Sequence, residues 1–304
     1  MGIFLFWAVL SMAAPTVVQD KLSSSEPDVV VTGRKVDRAA EVRDFVRALN
    51  GLSGPDPIAR FDRAELCPVA IGLGEAHDLA IANRMRRIAA AASIPIAPEG
   101  CKTNALVIFA DDKNAMIDAL RKAHPAYFTT AFGSTIDVPR KPGPVTAWHL
   151  SSRLDRYGTQ IASPDEQSSQ IVSVPDGASR LEANVRPIFV ASVVVIERKA
   201  VDGLTTTQIG DYAAMRSFAE IDPSRLKSAQ APTILTIMDS SMDSEIPITM
   251  TPWDLGYLRA LYAVRPLRPA MSQRAEMGNR ISRELDTSSR KIEVGSSAEA
   301  AKPH

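Results

Sequence analysis

The sequence predicts an α+β protein in which a small α/β unit is followed by a mixed sheet with C-terminal helices. Three observations carry this expectation. Strand-like apolar runs alternate with helical periodicity across residues 67–124, Val190–Glu197 is strongly β-branched, and apolar spacing turns helical beyond Thr251. The chain has 304 residues, 45% of them hydrophobic and 23% charged, enough to build a core of native size. Lys+Arg and Asp+Glu both number 35, so no global field steers the protein toward nucleic acid, and no nucleic-acid partner is expected.

The N-terminus opens on an apolar run, Ile3 to Leu10, followed by Ser11, Met12 and Ala13. The run is shorter than the roughly 20 residues of a spanning helix, and Ser11 and Ala13 are small enough for a signal-peptidase site. Residues 1–13 are therefore expected to be a signal peptide, with only the α-amino group supplying positive charge ahead of the run. A periplasmic or secreted mature chain without an integral membrane segment follows from that expectation, and an envelope component is the class of partner it allows. Residues 14–35 read as a flexible linker, with three consecutive serines and then Glu26-Pro27-Asp28. Within it, the seven residues DVVVTGR resemble a segment near the mature N-terminus of bacterial outer-membrane receptors. No barrel-like alternation follows, so that function is not carried over.

The first helix is expected from Val36 to Asn50, where Ala39, Val42, Val46 and Leu49 share one face and Asn50-Gly51 ends it. CPVAIGL (Cys67 to Leu73) reads as a short buried strand and Glu75 to Ser93 as an alanine-rich helix. NALVIFADD (Asn104 to Asp112) is a strand, and Asp112 caps a helix from Lys113 to Ala123. These elements, with the first helix, make up an N-terminal part over residues 36–132. A Pro/Gly-rich loop, 133–144, is the best boundary to a C-terminal part over residues 145–285, with a single sheet shared by both halves as the alternative. The second part holds a strand from Val145 to Ser152, a polar stretch over 153–186, the strand Val190–Glu197 and a helix from about Leu204 to Ala219. A short strand is expected from Thr233 to Met238. A helix opened by Thr251-Pro252-Trp253-Asp254 and another from about Ser272 to Leu285 complete it. The polar tail, 286–304, is expected to be disordered.

The chain has two cysteines, Cys67 and Cys101. In an oxidising compartment they are expected to form a disulfide. Two free buried thiols, or a metal or nucleophilic site, are the alternatives. No C-x-x-C, H-E-x-x-H, P-loop, G-x-G-x-x-G after a strand, G-x-S-x-G or S-x-x-K is present. The chain shows no cofactor motif. What remains are scattered candidates for a pocket. Glu75 and His77 lie two apart at the start of a helix. Asp111 and Asp112 end a strand of the α/β unit, where such folds bind ligands. His149 follows Trp148 in the third strand. Asp239, Asp243 and Glu245 lack the glycine and the spacing of a calcium loop.

The blocks CPVAIGL, EGCKTNALVIFADD, GPVTAWHL, ASVVVIERKAVDGLTTTQIGDYAAMRSFA and MTPWDLGYLRALY resemble an exported bacterial family with no assigned activity, over about residues 60–270. The resemblance implies a compartment and no catalytic role. The order of central strand, helix and later T-P-x-D helix is similar to secreted zincin-like metallopeptidases. In these a helix carries H-E-x-x-H. Here the corresponding helix reads TTQIGDYAAM, with Gln208 and Tyr212 at the ligand positions and Ile209 at that of the glutamate. That likeness implies a degenerate peptidase scaffold. The expectation overall is a non-catalytic binding or envelope-interaction protein; the alternatives are an enzyme using carboxylates and a histidine, or the degenerate scaffold.

Overall fold

The structure is a computed structural model that describes residues 37–50, 56–62, 65–130, 133–138, 140, 142–161, 182–228, 231–238 and 246–300. The expected signal peptide, the linker, DVVVTGR, most of the 153–186 stretch and the acidic Asp239–Glu245 segment lie outside them.

The fold is α+β. In chain order the main elements are α1 (Arg38–Leu49), β1 (Pro68–Ile71), α2 (Glu75–Ala91), β2 (Ala105–Ala110), α3 (Lys113–Ala123), β3 (Val145–Asp155), β4 (Val185–Glu197), α4 (Thr206–Phe218), α5 (Pro252–Ala263) and α6 (Ala270–Ala300). The strands form one mixed sheet of order β1-β2-β4-β3. β1, β2 and β4 are parallel, with Ala70 opposite Val107 and Val107 opposite Val194. β3 runs antiparallel to β4 at one edge, with a register shift between Leu150 and Ser151. Strands from both sides of the 133–144 loop share this sheet, so the division drawn there falls inside one unit that begins at Asp37.

The inner strands explain their own composition. Side chains alternate across a strand, and β2 and β4 are covered on both faces, so both faces must be apolar. Val107, Phe109, Val194 and Ile196 enter the larger core beneath α1, α2, α4, α5 and α6. Leu106, Ile108, Val193 and Val195 enter a smaller core, against Ile117 and Leu120 of α3 and the stacked pair Phe128 and Trp148. The continuous run ALVIFA is the sequence of a strand with no solvent face.

Cys67 and Cys101 are joined by a disulfide, with Cα atoms 6.0 Å apart. It ties the chain before β1 to the loop before β2. Asn104 reinforces the junction: its side-chain oxygen accepts from Cys67 N–H (2.8 Å) and its amide donates to the Glu65 carbonyl (3.0 Å).

Two elements differ from expectation. The strand expected over Thr233–Met238 is instead a short 3-10 turn, Ile234–Thr236. The Thr233 hydroxyl caps it and also donates to Asp254 (2.5 Å), while Ile234 N–H donates to the other oxygen of Asp254 (2.9 Å). A β-prone hexapeptide thus closes against a helix start rather than joining the sheet. The backbone of α6 continues to Ala300, past the Asp286 boundary of the expected disordered tail. Its Arg, Lys, Glu and Ala residues are good helix formers, a tendency that outweighs the polarity on which disorder was read.

Candidate functional site

The residues singled out in the sequence do not converge. Glu75 and His77 are both exposed on the first turn of α2, and two residues apart on a helix they diverge around its axis. It is Asp78 that works locally, accepting from the N–H groups of Gly72 and Leu73, both at 3.0 Å. Gly72 is required there: its φ is +115°, and a Cβ would lie 2.3 Å from the Phe109 carbonyl oxygen.

Asp111 sits where the parallel strands end, the usual ligand crevice of such a sheet. In this chain Arg198 bridges that place. Its Nη1 is 2.6 Å from the Asp111 carboxylate and its Nε donates to the Gly72 carbonyl at 2.8 Å. Asp112 caps α3 through Ala115 N–H (2.9 Å). His149 stacks on Phe189 with ring centroids 4.1 Å apart, and its Nε2 is 3.0 Å from the Ser217 carbonyl oxygen. Burial lowers its pKa to about 4, against the raising effect of the Ser217 bond, and the charge of Arg216 lowers it further. Gln208 completes a capping box with Thr205, and its amide donates to the Pro247 carbonyl at 2.9 Å. Among the described residues no group of three His, Cys, Asp or Glu is placed to hold a metal ion.

One of the candidates, Tyr212, lines a cleft of about 790 Å³ beside the β3 edge of the sheet. The 142–147 segment forms one wall, the C-terminal half of α4 and residues 220–225 another, and Leu49 and Met238 close it. Strand alternation turns Val145 and Ala147 toward this face, where they pack against the larger core. The cleft lining is thus mixed, apolar along Leu49, Val145, Ala147, Ile221 and Met238 and polar elsewhere. Glu220 and Asp222 also line it, and Asp222 is engaged by the Ser224 hydroxyl at 2.7 Å.

Among the charged residues of this lining, with Glu220, Asp222 and Arg225, is Arg216, which the sequence reading did not select. Every residue of α4 from Gln208 to Phe218 is buried, yet the helix carries two charges, Asp211 and Arg216. Asp211 is fully buried and fully matched. Arg84 grips it side-on, Nε at 2.5 Å and Nη2 at 3.1 Å, and Thr249 Oγ1 and Met250 N–H donate to it at 2.8 and 2.5 Å. Gly210 permits that grip, since a Cβ there would lie 2.8 Å from the Arg84 side chain. Arg216 is only 8% exposed. Its Nη1 donates to the Tyr212 hydroxyl at 2.9 Å, while its Nε, buried as well, meets no hydrogen-bond acceptor. No ion pair to Arg216 is present among the described residues. The signal that could have revealed it is an arginine in the otherwise apolar IGDYAAMRSF, because a helix apolar on all sides is buried and a buried charge needs a partner.

Comparison with known proteins returns no match, whether to a family model, to a characterised protein or to a solved structure.

Proposed function

We propose that the protein is an exported, non-catalytic binding protein whose ligand seat is the cleft between the 142–147 segment and the C-terminal half of α4. The observation that carries this reading is Arg216, a buried cation in the cleft lining whose Nε meets no hydrogen-bond acceptor and which forms no ion pair among the described residues. Such a cation is costly to bury alone and becomes favourable when a partner arrives. Asp112, Asp111 and His149 are committed to a cap, an ion pair and a carbonyl contact, and Glu75 and His77 are exposed and diverge on α2. The Cys67–Cys101 disulfide supports export, because such bonds persist in oxidising compartments, and no described helix is long and apolar enough to cross a membrane.

Two measurements test the reading. Intact-mass analysis of protein from the cell envelope, without reductant and with thiol alkylation, is expected to show a chain lacking residues 1–13 and resisting alkylation. An uncleaved chain with two alkylated thiols would overturn export. A thermal-shift survey across classes of small metabolites is expected to find saturable stabilisation in the native protein that Ala147→Trp, which fills the cleft, abolishes. Stabilisation that survives in Ala147→Trp would remove the cleft as the seat.

A further inference from the structure

We infer that the cleft takes an extended peptide segment of a partner protein, which adds to the sheet as a further strand along the outer edge of β3. The inference rests on the reading of this cleft as the ligand seat and names the chemistry of its occupant.

Three observations lead to it. The first is which backbone groups β3 leaves outward. In an antiparallel ladder, successive residues turn their N–H and C=O groups alternately toward the partner strand and away from it. Glu197 N–H donates to the Pro144 carbonyl at 2.9 Å, and Ser192 N–H donates away from β3, to the Asn104 carbonyl at 2.8 Å. Given the pairing of Thr146 with Val195 and of Trp148 with Val193, the groups of Thr146, Trp148 and Leu150 point into the sheet. Those of Val145, Ala147 and His149 point outward. β3 is the last strand of the sheet, so no strand among the described residues receives them. Farther along, the chain itself shows how this edge pairs. Asp155 N–H donates to the Thr159 carbonyl at 2.9 Å, and Ile161 N–H to the Arg153 carbonyl at 3.0 Å.

The second is where the cleft lies. Val145 and Ala147 face the larger core, whereas alternation puts Thr146 on the side of Trp148 and Leu150, in the smaller one. All three of Val145, Thr146 and Ala147 nevertheless line the cleft. Only the edge of a strand offers consecutive residues to one space. The third is that this edge is unguarded. The opposite edge strand, β1, has four residues and opens on Pro68. The chain ahead of it is already paired, Leu66 N–H donating to the Pro95 carbonyl (2.8 Å) and Ala97 N–H to the Leu66 carbonyl (3.0 Å). By contrast, VTAWHLSS at the start of β3 holds no proline, lysine, arginine or carboxylate, the residues that normally blunt an exposed edge.

A row of donors and acceptors at strand spacing is matched by another extended backbone. The facing wall carries both signs, Arg216 and Arg225 with Glu220 and Asp222, so it selects neither a cation nor an anion and leaves recognition to the backbone. A second copy of the chain would bring the same wall against this one, whereas a single peptide strand fits between wall and edge.

The test is amide hydrogen exchange, read by NMR on the full chain. The probes are the hexapeptide acetyl-Thr-Val-Thr-Val-Thr-Val-amide and the same peptide methylated on every backbone nitrogen. In the free chain the amides of Val145, Ala147 and His149 are expected to exchange at least tenfold faster than those of Thr146, Trp148 and Leu150. The hexapeptide is expected to slow the first three saturably, at least tenfold. The methylated peptide, with the same side chains and no donors, is expected to leave them unchanged. Ala147→Pro removes an outward donor and no bond to β4, and is expected to weaken the hexapeptide about tenfold. The comparison of the two peptides on the native chain needs no variant, so a folding defect in Ala147→Pro does not blunt it. If the three amides are already slow in the free chain at every protein concentration, the chain covers its own edge and the inference is overturned. If they slow as the protein concentration rises, the occupant is a second copy and the partner peptide is overturned. If the methylated peptide protects as well as its parent, side chains select the ligand and strand addition is overturned. If neither peptide binds while the metabolite survey finds a cleft ligand, the inference falls and the binding reading stands; if both experiments are negative, both fall.

Discussion

At the scale of single residues, the stability of α4 depends on how its two charges are met. Asp211 has four donors around it. Asp211→Ala leaves the Arg84 guanidinium half-buried and unpaired, and is expected to destabilise the fold by about 3–5 kcal/mol, the range for breaking a buried pair from one side. The urea unfolding midpoint of the variant checks this, and an unchanged midpoint would show that the pair contributes nothing. His149 sets a pH dependence. Burial holds its folded pKa at about 4, below the roughly 6.5 of an unfolded chain. The unfolded chain therefore takes up a proton that the folded one refuses. The contribution is fully present above about pH 6.5, falls as the pH drops toward 4, and totals on the order of 3 kcal/mol. His149→Gln keeps a donor toward the Ser217 carbonyl and removes the titration. Unfolding free energies at pH 8, 6, 5 and 4 are expected to decline less steeply in that variant than in the native chain.

At the scale of elements, helix starts were the most legible features of the sequence. Thr251-Pro252-Trp253-Asp254 reads as a capped start, and in the structure Thr251 and Asp254 form a capping box with Pro252 in the first turn. The sequence does not show that Asp254 is fully buried and also receives Thr233 and Ile234 from a distant loop. Burial raises its pKa, against four hydrogen bonds that act to lower it. Thr251→Ala is expected to cost about 1 kcal/mol, as an ordinary cap does. Asp254→Ala is expected to cost roughly 3 kcal/mol, because it also strips the 3-10 turn of its anchor. Equal losses in the two variants, read by denaturant unfolding, would reduce Asp254 to a local cap. The same contact explains the misread strand: Thr233–Met238 has the composition of a strand, and its conformation is decided by a carboxylate some twenty residues away. Lys113–Ala123, by contrast, is a helix between the limits its sequence suggests, because its cap and apolar face are both local.

At the scale of the whole molecule, the disulfide is a staple at the start of two adjacent parallel strands. Its 34-residue separation corresponds to about 4 kcal/mol of loop-closure entropy removed from the unfolded chain. Replacing both cysteines with serine is expected to lower the thermal midpoint by roughly 10 °C for a unit of this size. Calorimetry of the double variant checks it, and a shift of a degree or two would mean that the Asn104 contacts alone hold the junction. The sheet also explains why the crevice at the strand ends is not the candidate site. Arg198 crosses it between Gly72 and Asp111, and the cleft lies instead beside the antiparallel edge strand, where the 142–147 segment stands against the C-terminal half of α4.

The sequence by itself determined what depends on neighbours along the chain. It set the α+β class, the positions of most helices and strands through apolar periodicity and caps, and the pairing of the two cysteines, since a chain with two has one possible bridge. Only the tertiary structure decided the function-bearing geometry. Asp211 and Arg216 lie five residues apart on one buried helix and look alike in sequence as charges out of place. Asp211 is neutralised by α2, which brings Arg84 to it from more than a hundred residues earlier in the chain. Electrostatic pairing acts through space, so a charge left without a partner is a property of packing and not of local pattern.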